Sequence, residues 1–252
     1  MKVFSCCFGS YYRERKMNFL CKTVACLLVL SPLIITDALA NNGEGGFSLG
    51  STRVIYDGRN NEATFSVINS AKDAPFLAQS WITAYDENDK TKPPFIITPP
   101  LYRQDNGKNT LRVVRSGGDL ATDKESAYWL NVKAIPAGVK PSDQSNSLSF
   151  AYVLRIKLFY RPAGLAGNPS TAYKDLVFTR QGEKLIVKNP TPYHITLNKV
   201  SLGGENLKNI SAMVPPLGQQ TYELPHSAVS NVVRYQAVND LGGVLPEENK
   251  KI

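Results

Sequence analysis

The stretch from Leu148 to Pro162, LSFAYVLRIKLFYRP, alternates without a break. Leu148, Phe150, Tyr152, Leu154, Ile156 and Leu158 fall on one side, and Ser149, Ala151, Val153, Arg155 and Lys157 on the other. Only an extended chain sends successive side chains to opposite faces, so this pattern predicts a β-strand. At about 3.3 Å per residue, roughly eleven residues reach about 36 Å, well beyond the usual strand of about 5–6 residues. Two readings fit. The strand is either a long core strand of a sandwich or an apolar edge offered to another chain. It follows a polar, turn-rich loop, Pro136 to Ser147, and ends in Arg161-Pro162, where the composition changes. A long apolar strand beside such a loop and a domain boundary is a candidate for intermolecular pairing.

The first forty residues read as a leader. Arg13, Arg15 and Lys16 precede an apolar run, Phe19 to Ile35, that closes on Ala38-Leu39-Ala40. A basic start, an apolar middle and an A-x-A end predict a secretory signal peptide cleaved after Ala40, with Met17 as an alternative start. The competing reading, a membrane anchor, needs about 20 apolar residues, and Pro32 interrupts a shorter run. All four cysteines (Cys6, Cys7, Cys21, Cys26) lie in this leader. The exported chain is therefore expected to fold without disulfides, on a hydrophobic core alone, and thiol catalysis and thiolate metal sites are excluded. The net charge is +8, of which the leader carries +3. The remaining charges are scattered, with no Lys/Arg block, which argues against nucleic-acid binding.

Along residues 41–162 the pattern predicts about seven short strands. They are Phe47–Leu49 continuing to Val54–Tyr56 across a Gly50-Ser51 bend, Ala63–Asn69, Pro75–Tyr85 with Trp81 as an expected core anchor, Phe95–Ile97, Asn109–Val114, Tyr128–Ile135 and the alternating stretch itself. Thr98-Pro99-Pro100 reads as a corner or edge, because paired prolines do not fit a central strand. Residues 163–168 are small and Gly/Pro-rich, a linker. Residues 169–252 predict about six more strands, including a hairpin around Gln181-Gly182, followed by a frayed polar tail from Glu247. Strand-rich halves with turns between and almost no helical period predict an all-β chain of two immunoglobulin-like sandwiches.

Chemistry for catalysis is missing from the pattern. His194 and His226 are each isolated, which favours a packing or surface role. There is no phosphate loop, metal-ligand spacing or nucleophile motif. Asp86, Glu87 and Asp89 form an acidic loop without the spacing of a calcium site. No cofactor or metal is expected, and the chain is not expected to be an enzyme.

Seven segments occur in order: STRVIYDG (51–58), ITPPLYR (97–103), DKESAYWLNVKAIP (123–136), RIKLFYRPAGL (155–165), NPTPYHIT (189–196), VPPLG (214–218) and AVNDLGG (237–243). Together they resemble the periplasmic pilus (fimbrial) chaperones of the PapD type, whose sandwich architecture and donor-strand pairing are well known. The resemblance implies two domains set like a boomerang, with a cleft between them. It also implies that the alternating strand is donated to an incomplete pilus subunit, with Leu148, Phe150, Tyr152 and Leu154 as donor side chains. Arg53 and Lys157 would grip the subunit's C-terminal carboxylate. Glu125, Arg161 and Asp240 would form an interdomain clamp. The loop Pro136–Ser147 resembles the short-loop branch.

The implied partners are pilus subunits and an outer-membrane usher, with no nucleic acid and no membrane insertion of the mature chain. An apolar edge would also favour a self-capping dimer when no subunit is bound. The implied location is the periplasm of a Gram-negative cell. The alternative reading is a secreted immunoglobulin-like adhesive or structural pilus component. Against it, pilus subunits keep a cysteine pair and one domain.

Overall fold

The computed structural model describes residues 45–137, 150–226, 228 and 230–252. The predicted leader and Leu148 lie outside the described residues, as does most of the loop on which the short-loop expectation rests. Two β-sandwiches follow each other along the chain. The first holds β1 (Phe47–Leu49), β2 (Arg53–Asp57), β3 (Glu62–Asn69), β4 (Phe76–Ala84), β5 (Phe95–Thr98), β6 (Leu101–Gln104), β7 (Gly107–Arg115), β8 (Ser126–Pro136) and β9 (Tyr152–Arg161). Its sheets run β1-β3-β7-β5 and β2-β9-β8-β4-β6. A 3-10 turn at Ala172–Asp175 opens the second sandwich. That sandwich holds β10 (Val177–Gln181), β11 (Lys184–Lys188), β12 (Thr196–Leu202), β13 (Glu205–Asn206), β14 (Gln219–Glu223), β15 (Val232–Val238) and β16 (Glu248–Lys251). Its sheets run β10-β11-β14 and β13-β12-β15-β16.

Each sandwich has its own core. Val54, Tyr56, Phe65, Val67, Leu111, Val113, Leu130, Val132 and Leu158 fill the first. Leu176, Phe178, Leu185, Val187, Leu202, Tyr222 and Tyr235 fill the second. Each such side chain removed from water contributes about 1.5–3 kcal/mol, which is how a chain with no cysteine beyond Cys26 holds two domains. Between β1 and β2 the chain changes sheets: β1 pairs antiparallel with β3, whereas β2 pairs parallel with β9. The bend expected at Gly50-Ser51 is where that switch occurs. The Thr98–Pro99 peptide bond is cis, and the Pro-Pro corner carries the chain from β5, an edge of one sheet, to β6, an edge of the other.

Three details differ from the sequence expectation. Trp81 is half-buried, not a core anchor: on β4 the buried side chains are Phe76, Ala78 and Ser80, and Trp81 points to the opposite face. β6 was hidden by the prolines before it. The tail is not frayed, because β16 pairs with β15 from Tyr235↔Glu248 to Val232↔Lys251. Main-chain pairing is indifferent to the polarity of Glu248–Lys251, and charged side chains suit an edge strand. Lys174 Nζ adds an ion pair to Glu248 Oε1 at 3.0 Å.

Candidate functional site

Strand β9 is asymmetric along its length. Residues Lys157–Tyr160 are flanked by β2 on one side and β8 on the other. Residues Tyr152–Ile156 pair only with β8, so the side away from β8 has no strand partner among the described residues. Its two faces also differ. Leu158 is fully buried in the first core, with Leu154 and Ile156 packed partly against it. The opposite face carries Arg155, Lys157 and Phe159. Phe159 is buried against the His194 ring of the second sandwich, at a centroid distance of 5.5 Å.

The four candidate donor side chains therefore fare differently. Phe150 precedes the strand and is 69% exposed. Tyr152 is 38% exposed, its ring edge-on to Phe76 and its hydroxyl donating to the Phe47 carbonyl at 3.4 Å. Leu154 shares the face of Leu158 and packs, partly buried, against this chain's own core. Leu148 lies outside the described residues.

Arg53 and Lys157 are register partners across the parallel β2–β9 pair, which places both on the same outward face. Lys157 Nζ donates to Thr196 Oγ1 of β12 at 3.3 Å. Arg53 Nη1 reaches the Val238 carbonyl at a long 3.5 Å, and Arg53 Nε is buried with no partner. Burial, and secondarily the Arg53 charge, pushes Lys157 down to about 8. Burial likewise lowers Arg53, against a raising pull from Asp240. Two adjacent cations are thus held partly out of water, and neither makes an ion pair with a carboxylate among the described residues. Burying a cation is costly unless an anion or strong acceptors offset it.

Arg161 shows the contrary case. Its Nε donates to Glu125 Oε1 at 2.6 Å, and Nη1 and Nη2 donate to Asp240 Oδ2 and Oδ1 at 2.7 and 2.9 Å. Desolvation opposes the cation, but hydrogen bonds and charge from Asp240 and Glu125 outweigh it and raise its pKa. Glu125 Oε2 accepts the main-chain N–H of His194 at 2.8 Å, and the Glu125 N–H donates to the Pro192 carbonyl at 2.9 Å. His194 Nδ1 sits 3.5 Å from the same carboxylate oxygen but makes no hydrogen bond. So Glu125 and Arg161 of the first sandwich meet Asp240 and His194 of the second. Just past Asp240, Gly242 has φ +87, and a Cβ there would collide with Thr52 Oγ1. The 239–243 turn docks where the chain switches sheets.

Sequence reasoning missed the residues that complete this surface. Thr196 and the Val238 carbonyl come from the second sandwich. Trp129 lies directly across from Lys157 in the β8–β9 register. Arg155 sits on the Trp129 ring, 4.4 Å from its centroid. Arg155 and Lys157 at i and i+2 were the available signal, since they share a face.

Two family descriptions match: "Pili and flagellar-assembly chaperone, PapD N-terminal domain" over residues 46–166, and "Pili assembly chaperone PapD, C-terminal domain" over residues 171–249. The probable fimbrial chaperone LpfB of Escherichia coli O157:H7 is 43% identical over 238 residues, covering 94% of this chain and 100% of that protein. The chaperone protein FimC of Escherichia coli K12 is 39% identical over 224 residues, covering 88% of this chain and 91% of that protein. Among solved structures, that of the Salmonella enterica SafA pilin in complex with the SafB chaperone is similar at a TM-score of 0.74 and 33% identity. That match covers 82% of this chain and 96% of the other.

Proposed function

Because the chain belongs to the PapD family of pilus-assembly chaperones, we propose that it captures a pilus subunit by donating β9. On this reading the subunit's C-terminal carboxylate is gripped between Arg53 and Lys157, and the complex is delivered to an outer-membrane usher from the periplasm. The observation that carries this reading is the pair of adjacent, partly desolvated cations with unused donors. A carboxylate placed between them makes charge-assisted hydrogen bonds to both and offsets their burial. The open side of Tyr152–Ile156 begins beside that cradle. An extended segment added there gains main-chain hydrogen bonds whatever its sequence, while Phe150 and its alternate neighbours give selection. The role needs no catalysis: the site offers charge, hydrogen bonds and apolar surface. Without a subunit, the same edge favours pairing with a second copy.

The test is co-expression with candidate subunits. The unmodified protein is expected to yield a soluble 1:1 complex. Arg53→Ala and Lys157→Ala should lose it while remaining folded by circular dichroism. Equal subunit recovery with both variants would remove the carboxylate grip from the proposal.

A further inference from the structure

We propose that Arg155, seated on Trp129, is a second recognition point beside the carboxylate cradle, selecting an acidic side chain near the end of the subunit's last strand. The inference rests on the reading of Arg53 and Lys157 given above and deepens it. Arg155 and Lys157 are two residues apart on one face of β9, about 6.6 Å along the strand. The carboxylate sits at the Lys157 end, and the open edge spans Tyr152–Ile156. A guest strand ending at the cradle therefore runs parallel to β9. Its side chain two positions before the terminus comes level with Arg155.

The Arg155 side chain is held in place. Its guanidinium lies 4.4 Å from the centroid of the Trp129 ring. That ring is fixed by Nε1–H donating to the Tyr85 carbonyl at 3.1 Å and by stacking on Tyr85 at 5.0 Å and 23°. A guanidinium immobilised on an aromatic face loses little entropy on meeting a ligand. Its counterion is the reverse. Glu87 Oε1 accepts one hydrogen bond from Arg155 Nη1 at 2.9 Å, and the Glu87 side chain is 76% exposed. One exposed carboxylate on a loop is readily exchanged for another, and a fork of five donors has capacity left for a guest. Around Arg155 the charge is balanced, since Asp86, Glu87 and Asp89 line the same cleft as Lys90, Lys92 and Arg155. The positive excess lies at the cradle end, where Arg53 and Lys157 share the outward face and Asp240, the carboxylate whose charge reaches Arg53, is held bidentately by Arg161.

The experiment uses the mature chain and synthetic ten-residue peptides of alternating apolar pattern. Each ends in a free carboxylate and carries Glu, Gln or Phe two positions before the end; an amidated Glu peptide completes the set. Binding is read by fluorescence anisotropy at two salt concentrations. The Glu peptide is expected to bind about 3–5-fold tighter than the Gln peptide, the range of a partly exposed ion pair, with the gap shrinking in high salt. In Arg155→Met the gap should vanish while the preference for free acid over amide persists. Glu87→Gln should widen the gap by removing the competitor. Equal Glu and Gln binding, or a gap that survives Arg155→Met, overturns the proposal. A preference for Phe that Arg155→Met abolishes overturns it in favour of a stacking subsite. Loss of the acid-over-amide preference in the unmodified protein would instead strike at the cradle itself.

Discussion

Lys157 stands directly beside Arg53 in the parallel β2–β9 register, and the two repel each other with no carboxylate paired to either among the described residues. A few residues further along the same strand, Arg161 is paired with both Glu125 and Asp240. One strand thus carries a guanidinium paired with two carboxylates and an ammonium whose hydrogen bond goes to a neutral hydroxyl, Thr196 Oγ1. The first is a fastening within the molecule. On the proposed reading the second is a socket, because an anion from outside would offset the burial of its charge.

That difference predicts a pH dependence of subunit binding. Burial holds Lys157 at about 8 in the free protein, and a bound carboxylate would favour its charged form. Affinity should therefore be highest below about pH 8 and fall above it, by at most about tenfold per pH unit. Isothermal titration between pH 6.5 and 9.5 reads this directly. Lys157→Arg keeps the charge at every pH and should flatten the slope. In the free protein the sign reverses. Between pH about 8 and 10.5 the unfolded chain binds more protons at this lysine, so stability rises with pH across that window. Lys157→Met should remove that rise, worth about 1 kcal/mol once solvent screening is allowed for.

Breaking the Arg161 fastening should cost far more than trimming its edge. The Glu125 side chain is only 2% exposed, so Arg161→Ala strands a buried carboxylate. The expected loss is about 3 kcal/mol in chemical denaturation. Asp240 is 42% exposed on its side chain, and Asp240→Asn should cost about 1 kcal/mol or less. A double-mutant cycle of Glu125→Gln with Arg161→Met should show strong coupling, the double variant being more stable than the sum of single losses allows.

Donor and core roles should separate along β9. Phe150→Glu alters an exposed side chain and is expected to leave the melting temperature within about 1–2 °C while abolishing subunit capture. Leu154→Ala removes a side chain packed on the first core and should cost about 1–2 kcal/mol of the chaperone's own stability. A destabilised Phe150→Glu with normal capture would place the donor face elsewhere.

The same strand shows how far the sequence was legible. Alternation from Phe150 to Leu158 announced a strand, because period two has no other origin. It did not separate donor from core, since Phe150 and Leu158 have the same parity and differ only in what lies opposite them. Trp81 misled because size and apolarity suggested a core role, while the buried position at that end of β4 belongs to Ser80. β16 was unreadable because its pairing is made by the main chain of Glu248–Lys251. Glu125, Arg161 and Asp240 come from widely separated segments, so no local period links them. Only the family's motifs brought them together, along with Arg53 and Lys157. Trp129 and Arg155 lay inside two of those motifs, yet their stacking depends on β8–β9 register, which the sequence does not spell out.

The turn at Gly242 provides a last check on how the second sandwich meets the first. Two costs are combined there: φ is +87, and the Thr52 hydroxyl occupies the space a Cβ would take. Gly242→Ala should therefore lose about 1–3 kcal/mol, part from backbone strain and part from collision. Thr52→Ala alone should be nearly neutral, since no hydrogen bond of its hydroxyl is recorded among the described residues. Combined with Gly242→Ala it should recover the collision part and leave the strain. If the double variant is no more stable than Gly242→Ala, the loss is all backbone strain and the close approach of the two segments contributes nothing. If recovery is partial, subunit capture should return with it, because the turn carries Asp240 and follows the Val238 carbonyl that Arg53 reaches.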